Sequence, residues 1–208
     1  MLKLLKRDLK LMFFSNFNKV VFLLFIPLLF IICKPCEQKW RYFIIVYTYT
    51  YTIFTEPFLY DISSPIVNSL PISRKEIVIY KYVSTFVYFL IAIVWTGVYL
   101  WIINVLGIAD VDYFNLEMLR AVLPMILIVL SILYLVYFDF GSSVASSAYA
   151  VMFIVSFNRV MMLGSSGEKS LLGRLILSGD GKYISIMAII LYLLSLFMSM
   201  NLYKTKDI

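Results

Sequence analysis

An all-α, polytopic membrane fold is the architecture this sequence predicts, on three observations. Hydrophobic residues fill 62% of the 208 positions and charged residues only 14%. Mean hydropathy is +0.93, more apolar surface than a soluble core of this size could bury. The apolar residues also gather into six stretches, residues 17–33, 40–59, 82–106, 118–138, 144–163 and 183–203, near the roughly 20 residues a helix needs to cross a hydrocarbon core. The whole chain, 1–208, reads as one transmembrane domain with no second folding unit.

Residues 1–16 have a pattern of their own. At 100° per residue, Lys3, Lys6, Arg7 and Lys10 share an arc of about 100°, and Leu2, Leu5, Leu9, Met12 and Phe13 take the neighbouring face. That predicts an amphipathic interfacial helix on the inner leaflet. A plain basic anchor is the competing reading. The first span is short and gains length if its helix starts at Phe13 or Phe14. No small-residue cleavage pattern follows it, so it is expected to stay in the mature protein. At its far end Cys33-Lys34-Pro35-Cys36 has redox-pair spacing, but the strand feeding a helix that such chemistry uses is absent. The pair reads as structural or incidental, with an external disulfide as the alternative.

In the second span, Tyr47-Thr48-Tyr49-Thr50-Tyr51-Thr52 alternates with period two. A lone strand cannot sit in lipid with its backbone unpaired, so a helix is predicted. Tyr47, Thr48 and Tyr51 are then candidates to line a cargo pathway, against a competing role in helix–helix hydrogen bonding. The fifth span opens on small residues, among them Gly141, Ser143 and Ser147. Such a face admits a close helix, in this chain or in a second subunit.

Basic residues orient the bundle. Lys3, Lys6, Arg7, Lys10 and Lys19 precede or open the first span, which puts the N-terminus in the cytoplasm, and six spans return the C-terminus there. Arg74, Lys75, Lys81, Lys204 and Lys206 then join them inside, and Asp110, Asp112 and Glu117 fall in an outer loop. The net charge of +6 is read as attraction to an anionic leaflet, with no nucleic-acid partner expected.

Catalysis is argued against by elimination. The chain has no His, which removes Ser–His hydrolases, His-ligated metals and His proton relays. Two Cys without His do not complete a zinc set. Gly164-Ser-Ser-Gly-Glu-Lys-Ser170 has the wrong spacing for a phosphate loop and follows a span instead of a strand. Asp139, at an element boundary without a second intramembrane carboxylate, reads as a cap or loop residue. No catalytic, cofactor or metal site is expected in this chain, and it is not expected to be an enzyme.

The most punctuated segment joins the second and third spans. Glu56-Pro57 predicts a bend and Asp61-Ile-Ser-Ser-Pro65 supplies turn chemistry. Pro71 keeps the residue before it extended. Ser73 and Glu76 form a capping box, with Ile72 and Ile77 at the staple positions. A helix therefore begins in water here and then enters lipid.

Residues 69–81, Ser-Leu-Pro-Ile-Ser-Arg-Lys-Glu-Ile-Val-Ile-Tyr-Lys, resemble the Ser-Leu-Pro-(Ile/Val)-Ser-Arg-Lys-x-Ile-Val-x-x-Lys signature of small ABC-2-type permeases, the membrane subunits of bacterial ABC exporters. The six-span layout with an amphipathic leader fits the same family over the whole chain. The resemblance implies that residues 60–81 dock on a separate ABC ATP-binding subunit, which carries the ATP and Mg, and that two permease copies or paralogues pair. Glu56, Asp61, Pro71, Ser73, Arg74, Lys75, Glu76 and Lys81 are then the docking and coupling candidates. By similarity to compact peptide exporters of the phenol-soluble-modulin type, the implied cargo is a hydrophobic or amphipathic peptide, and the implied site is the bacterial cytoplasmic membrane. An ion-coupled carrier or a membrane assembly scaffold is the alternative class. A carrier should show ionisable residues deep in its spans.

Overall fold

A computed structural model describes residues 6, 8, 36, 38–54, 73–108, 110–166 and 181–205, helical throughout apart from turns and caps, with no strand among them. The helices are α1 (Gln38–Ile53), α2 (Arg74–Val105), α3 (Leu116–Phe140), α4 (Ser142–Ser166) and α5 (Gly181–Thr205). Among the described residues α2 to α5 are each long and apolar enough to cross a membrane. The protein is therefore a multi-pass membrane protein. The expected first span, the remainder of the second and the interfacial helix lie outside the described residues, save Lys6 and Asp8, whose backbones are helical.

Local chemistry sets the helix ends. Ser73 Oγ accepts from the Glu76 N–H at 3.3 Å, and the Ser73 N–H donates to Glu76 Oε2 at 3.0 Å, so the capping box starts α2 at Arg74, eight residues before the apolar run. At 1.5 Å per residue its 32 residues reach about 48 Å. A hydrocarbon core takes up about 30 Å of that. The far end closes on Gly107, whose φ of 67° lets its N–H reach Asn104 O and the Ile108 N–H reach Ile103 O, a paired closure of the last turn. The Asn104 side chain pins the following turn by donating to Val111 O at 2.8 Å and accepting from the Val111 N–H at 3.2 Å. Asn115 then caps α3 through the Met118 N–H at 3.1 Å.

One residue separates α3 from α4. Gly141 has φ 91° and ψ −178°, a region open essentially to glycine alone. Its N–H closes α3 on Tyr137 O and its carbonyl accepts from the Ala145 N–H in the first turn of α4. A Cβ at Gly141 would meet nothing within 4 Å. This glycine thus has a conformational role within the chain: it makes a corner with no loop.

The helices alternate in direction. Phe54 meets Tyr88 while Tyr49 meets Tyr99, so α1 runs against α2, and Phe138 near the end of α3 meets Tyr203 near the end of α5. Helix α3 is central, packing most extensively on α5 and also on α4 and α1, while α2 packs on α1 and α5. Buried positions show the same order. Helix α1 is enclosed on nearly all sides, from Trp40 to Tyr51, and its buried Thr48 and Thr50 hydroxyls are satisfied within the helix by Ile44 O and Val46 O. Helix α5 turns inward only the stripe Ala188, Tyr192, Ser195, Ser199 and Tyr203, and exposes Ile186, Ile190, Leu194 and Phe197, the lipid-facing pattern of a peripheral span.

Candidate functional site

Two layers meet at the Arg74 end of the bundle. The outer layer is the first turn of α2, where Ser73, Arg74, Lys75 and Glu76 are all exposed. Arg74 Nη1 also donates to Lys204 O at 3.4 Å, tying the start of α2 to the last turn of α5, where a cation meets the unsatisfied carbonyls and the negative end of the helix dipole. Glu56, Asp61 and Pro71 lie outside the described residues.

The inner layer begins at Lys81, one to two turns further along α2. Sequence reading groups Lys81 with the docking cations, but here it is 3% exposed. The difference has a physical reason. Seven residues after Arg74 the helix has turned about 700°, within about 20° of two full turns, so Lys81 shares the face of Arg74 but lies about 10 Å further along the axis, where Asp8 and Tyr137 meet it. Its Nζ lies 4.0 Å from Asp8 Oδ2 and 5.7 Å from the centre of the Tyr137 ring. Asp8, 7% exposed, accepts from the Tyr80 hydroxyl at 2.9 Å and the Tyr88 hydroxyl at 3.4 Å. A buried carboxylate persists only with such partners.

From Lys81 a hydroxyl network runs inward across three helices. Tyr134 on α3 donates to Lys81 O at 3.1 Å and sits 2.9 Å from Thr85 Oγ1. The Tyr192 hydroxyl on α5 lies 3.0 Å from Tyr82 O and 2.7 Å from Thr85 Oγ1. Tyr82 OH lies 2.6 Å from Ser195 Oγ and 2.9 Å from Ser199 Oγ, and Ser195 donates onward to Ser131 O at 2.6 Å. The rings of Tyr82, Tyr134 and Tyr192 pack together, with centroids 4.6 to 6.5 Å apart. Every hydroxyl here is buried and satisfied by a group on a neighbouring helix or on its own, so the layer fixes how α2, α3 and α5 register.

The remaining candidates fall elsewhere. Tyr47 and Thr48 are fully buried and Tyr51 nearly so, packed within the bundle. Thr48 donates to Ile44 O at 2.7 Å, and Tyr51 donates across to Tyr149 O on α4 at 3.2 Å. The rings of Trp40, Phe43, Tyr47 and Tyr51 contact one another in sequence along one face of α1, edge-on, stacked and tilted in turn. Ser143 and Ser147 are exposed, the Ser147 hydroxyl turning back to Ser143 O at 3.3 Å. The close approach of α4 to the bundle uses Ala145 and Tyr149 instead. Cys36 is a buried thiol, and its carbonyl accepts from Arg41 Nε at 2.9 Å. Cys33 lies outside the described residues.

Asp8, Tyr80, Tyr88, Tyr134 and Tyr192 were not among the sequence candidates. One signal could have found part of the set: Ala188, Tyr192, Ser195, Ser199 and Tyr203 recur at spacings of 4, 3, 4 and 4 in an otherwise apolar helix, a polar stripe that needs a partner helix. Asp8 had no comparable signal, as a lone acid in a basic leader.

The family model for ABC-2 family transporter proteins matches residues 3–204. No curated protein and no solved structure matches the chain.

Proposed function

Since the chain belongs to the ABC-2 transporter family, we propose that it is the permease subunit of an ABC exporter whose ATP is bound and hydrolysed by a separate subunit. The observation that carries the coupling reading is the start of α2: a capped, exposed, charged turn on a helix about 18 Å longer than the hydrocarbon core. A lever of that shape gives a soluble partner something rigid to push. The tie from Arg74 to the end of α5 and the hydroxyl layer behind it support transmission into α3 and α5.

In this reading the chain has six spans with both termini in the cytoplasm of a bacterial cell, pairs with a second permease, and contacts anionic lipid through its basic ends. Residues 56–81 receive the closure of the ATPase, which tilts the second and third spans. No cofactor or metal belongs to the chain itself. The cargo is a hydrophobic or amphipathic peptide. The buried Asp8–Lys81 pair is the feature that would speak for an ion-coupled carrier. It sits near the same helix end as Arg74 and is mutually neutralised, whereas carrier sites lie near the midplane.

The test is capture of the ATPase subunit by Arg74→Glu/Lys75→Glu, with Lys204→Glu/Lys206→Glu as the control for lost headgroup attraction, about 1 kcal/mol per basic residue. Loss of capture only in the first pair is expected. Equal loss in both pairs, loss in neither, or ATP turnover by the purified chain free of other ATPases, would end the reading.

A further inference from the structure

Asp8 belongs to the leader before the first span, yet its carboxylate is buried against two turns of α2. Tyr80 and Tyr88, eight residues and about 12 Å apart along that helix, both direct their hydroxyls to Asp8 Oδ2, and Lys81 supplies the opposite charge from between them. Tyr80, Lys81 and Tyr88 are themselves buried. A carboxylate and an ammonium taken out of water are each costly, and each offsets part of the other's cost. The leader therefore cannot leave α2 cheaply while α2 keeps this shape.

We propose that Asp8 and Lys81, with the Tyr80 and Tyr88 hydroxyls, form a clasp that fastens the N-terminal leader to the loading end of α2, so that the two move as one body. Arg74 and Lys81 lie seven residues apart on one continuous helix, so a push on the first turn reaches the clasp without an intervening hinge. The coupling part rests on the permease reading. The fastening part does not.

The test uses the detergent-purified full chain. Trypsin cleavage after Lys6, whose side chain is exposed, reports release of the leader, because cleavage tracks the population of the opened form. Asp8→Asn and Lys81→Met are each expected to speed cleavage by roughly tenfold or more, since each removes the opposite charge 4.0 Å from a buried ionised group. The double variant is expected to be cleaved no faster than the faster single. Tyr80→Phe, which keeps the ring and removes one hydrogen bond, gives a smaller acceleration and serves as the mild variant if Lys81→Met does not fold.

A second readout asks for more than structure. With the ATPase subunit bound, nucleotide is expected to change the cleavage rate of the wild-type chain, and Asp8→Asn is expected to lose that response while retaining capture. Wild-type cleavage rates in the single variants, effects that multiply in the double, or an unchanged nucleotide response in Asp8→Asn would each overturn the clasp. If the wild-type chain captures no ATPase, the permease reading falls, and the cleavage rates of the isolated chain still decide the fastening.

Discussion

Removing the Tyr192 hydroxyl tests whether the buried hydroxyl layer holds the helices in register. In Tyr192→Phe the ring stays, and with it the contacts to Tyr82 at 4.9 Å and Phe86 at 6.1 Å, so the loss is confined to one oxygen that lies 3.0 Å from Tyr82 O and 2.7 Å from Thr85 Oγ1. Neither neighbour is orphaned. The Tyr82 carbonyl is inside α2 and accepts its helical N–H, and Thr85 Oγ1 keeps the Tyr134 hydroxyl at 2.9 Å and Lys81 O at 3.4 Å. The cost should therefore be that of a net hydrogen bond, roughly 0.5–1.5 kcal/mol, and not the larger penalty of a stranded polar group. Hydrogen bonds between membrane helices average about 0.6 kcal/mol, which favours the lower half of that range. Tyr192→Ala adds a cavity and should cost about 3–5 kcal/mol, as for other large-to-small core changes. Reversible unfolding of the detergent-solubilised chain, followed by tryptophan fluorescence, measures both. Should Tyr192→Phe cost nothing, or as much as Tyr192→Ala, the hydroxyl is not the satisfied, redundant link described above.

Two further outcomes follow from backbone geometry and from orientation. At Gly141, φ of 91° is strained for any L-residue whatever the space around it, so Gly141→Ala should lose about 1–3 kcal/mol in the same unfolding assay, whereas Gly97→Ala, whose Cβ would meet only Tyr113 O at 3.6 Å, should be neutral or stabilising by up to about 1 kcal/mol. In a Cys33→Ser/Cys36→Ser background, Asp110→Cys at an exposed turn position should react with a membrane-impermeant maleimide in intact cells and Lys204→Cys only after lysis; the reverse pattern would invert the bundle.

What the sequence made legible, and what it did not, divides along the range of the forces involved. Local chemistry was readable: Ser73 and Glu76 announce the start of α2 because a capping box is complete within four residues, and the apolar runs announce helices because their length and composition are local properties. Which turns of a helix other segments cover is not local. Lys81 reads as one more basic residue in a charged turn and shares the face of Arg74 to within about 20°, and only the segments packed around its turn place it with Thr85, Tyr88, Ala92 and Thr96 among the buried residues. Gly141 shows the same ambiguity, since a glycine beside serines and alanines suits a close packing face and a corner equally until φ is known. Least legible was Asp8. Its partners are contributed by a helix some seventy residues away, as the separations of 72 and 80 residues to Tyr80 and Tyr88 record, and no spacing rule connects them. The outer layer of this site, built from cap and charge, could be named from the chain alone. The inner layer exists only where four segments meet, because a buried charge says nothing about itself until its counter-charge arrives.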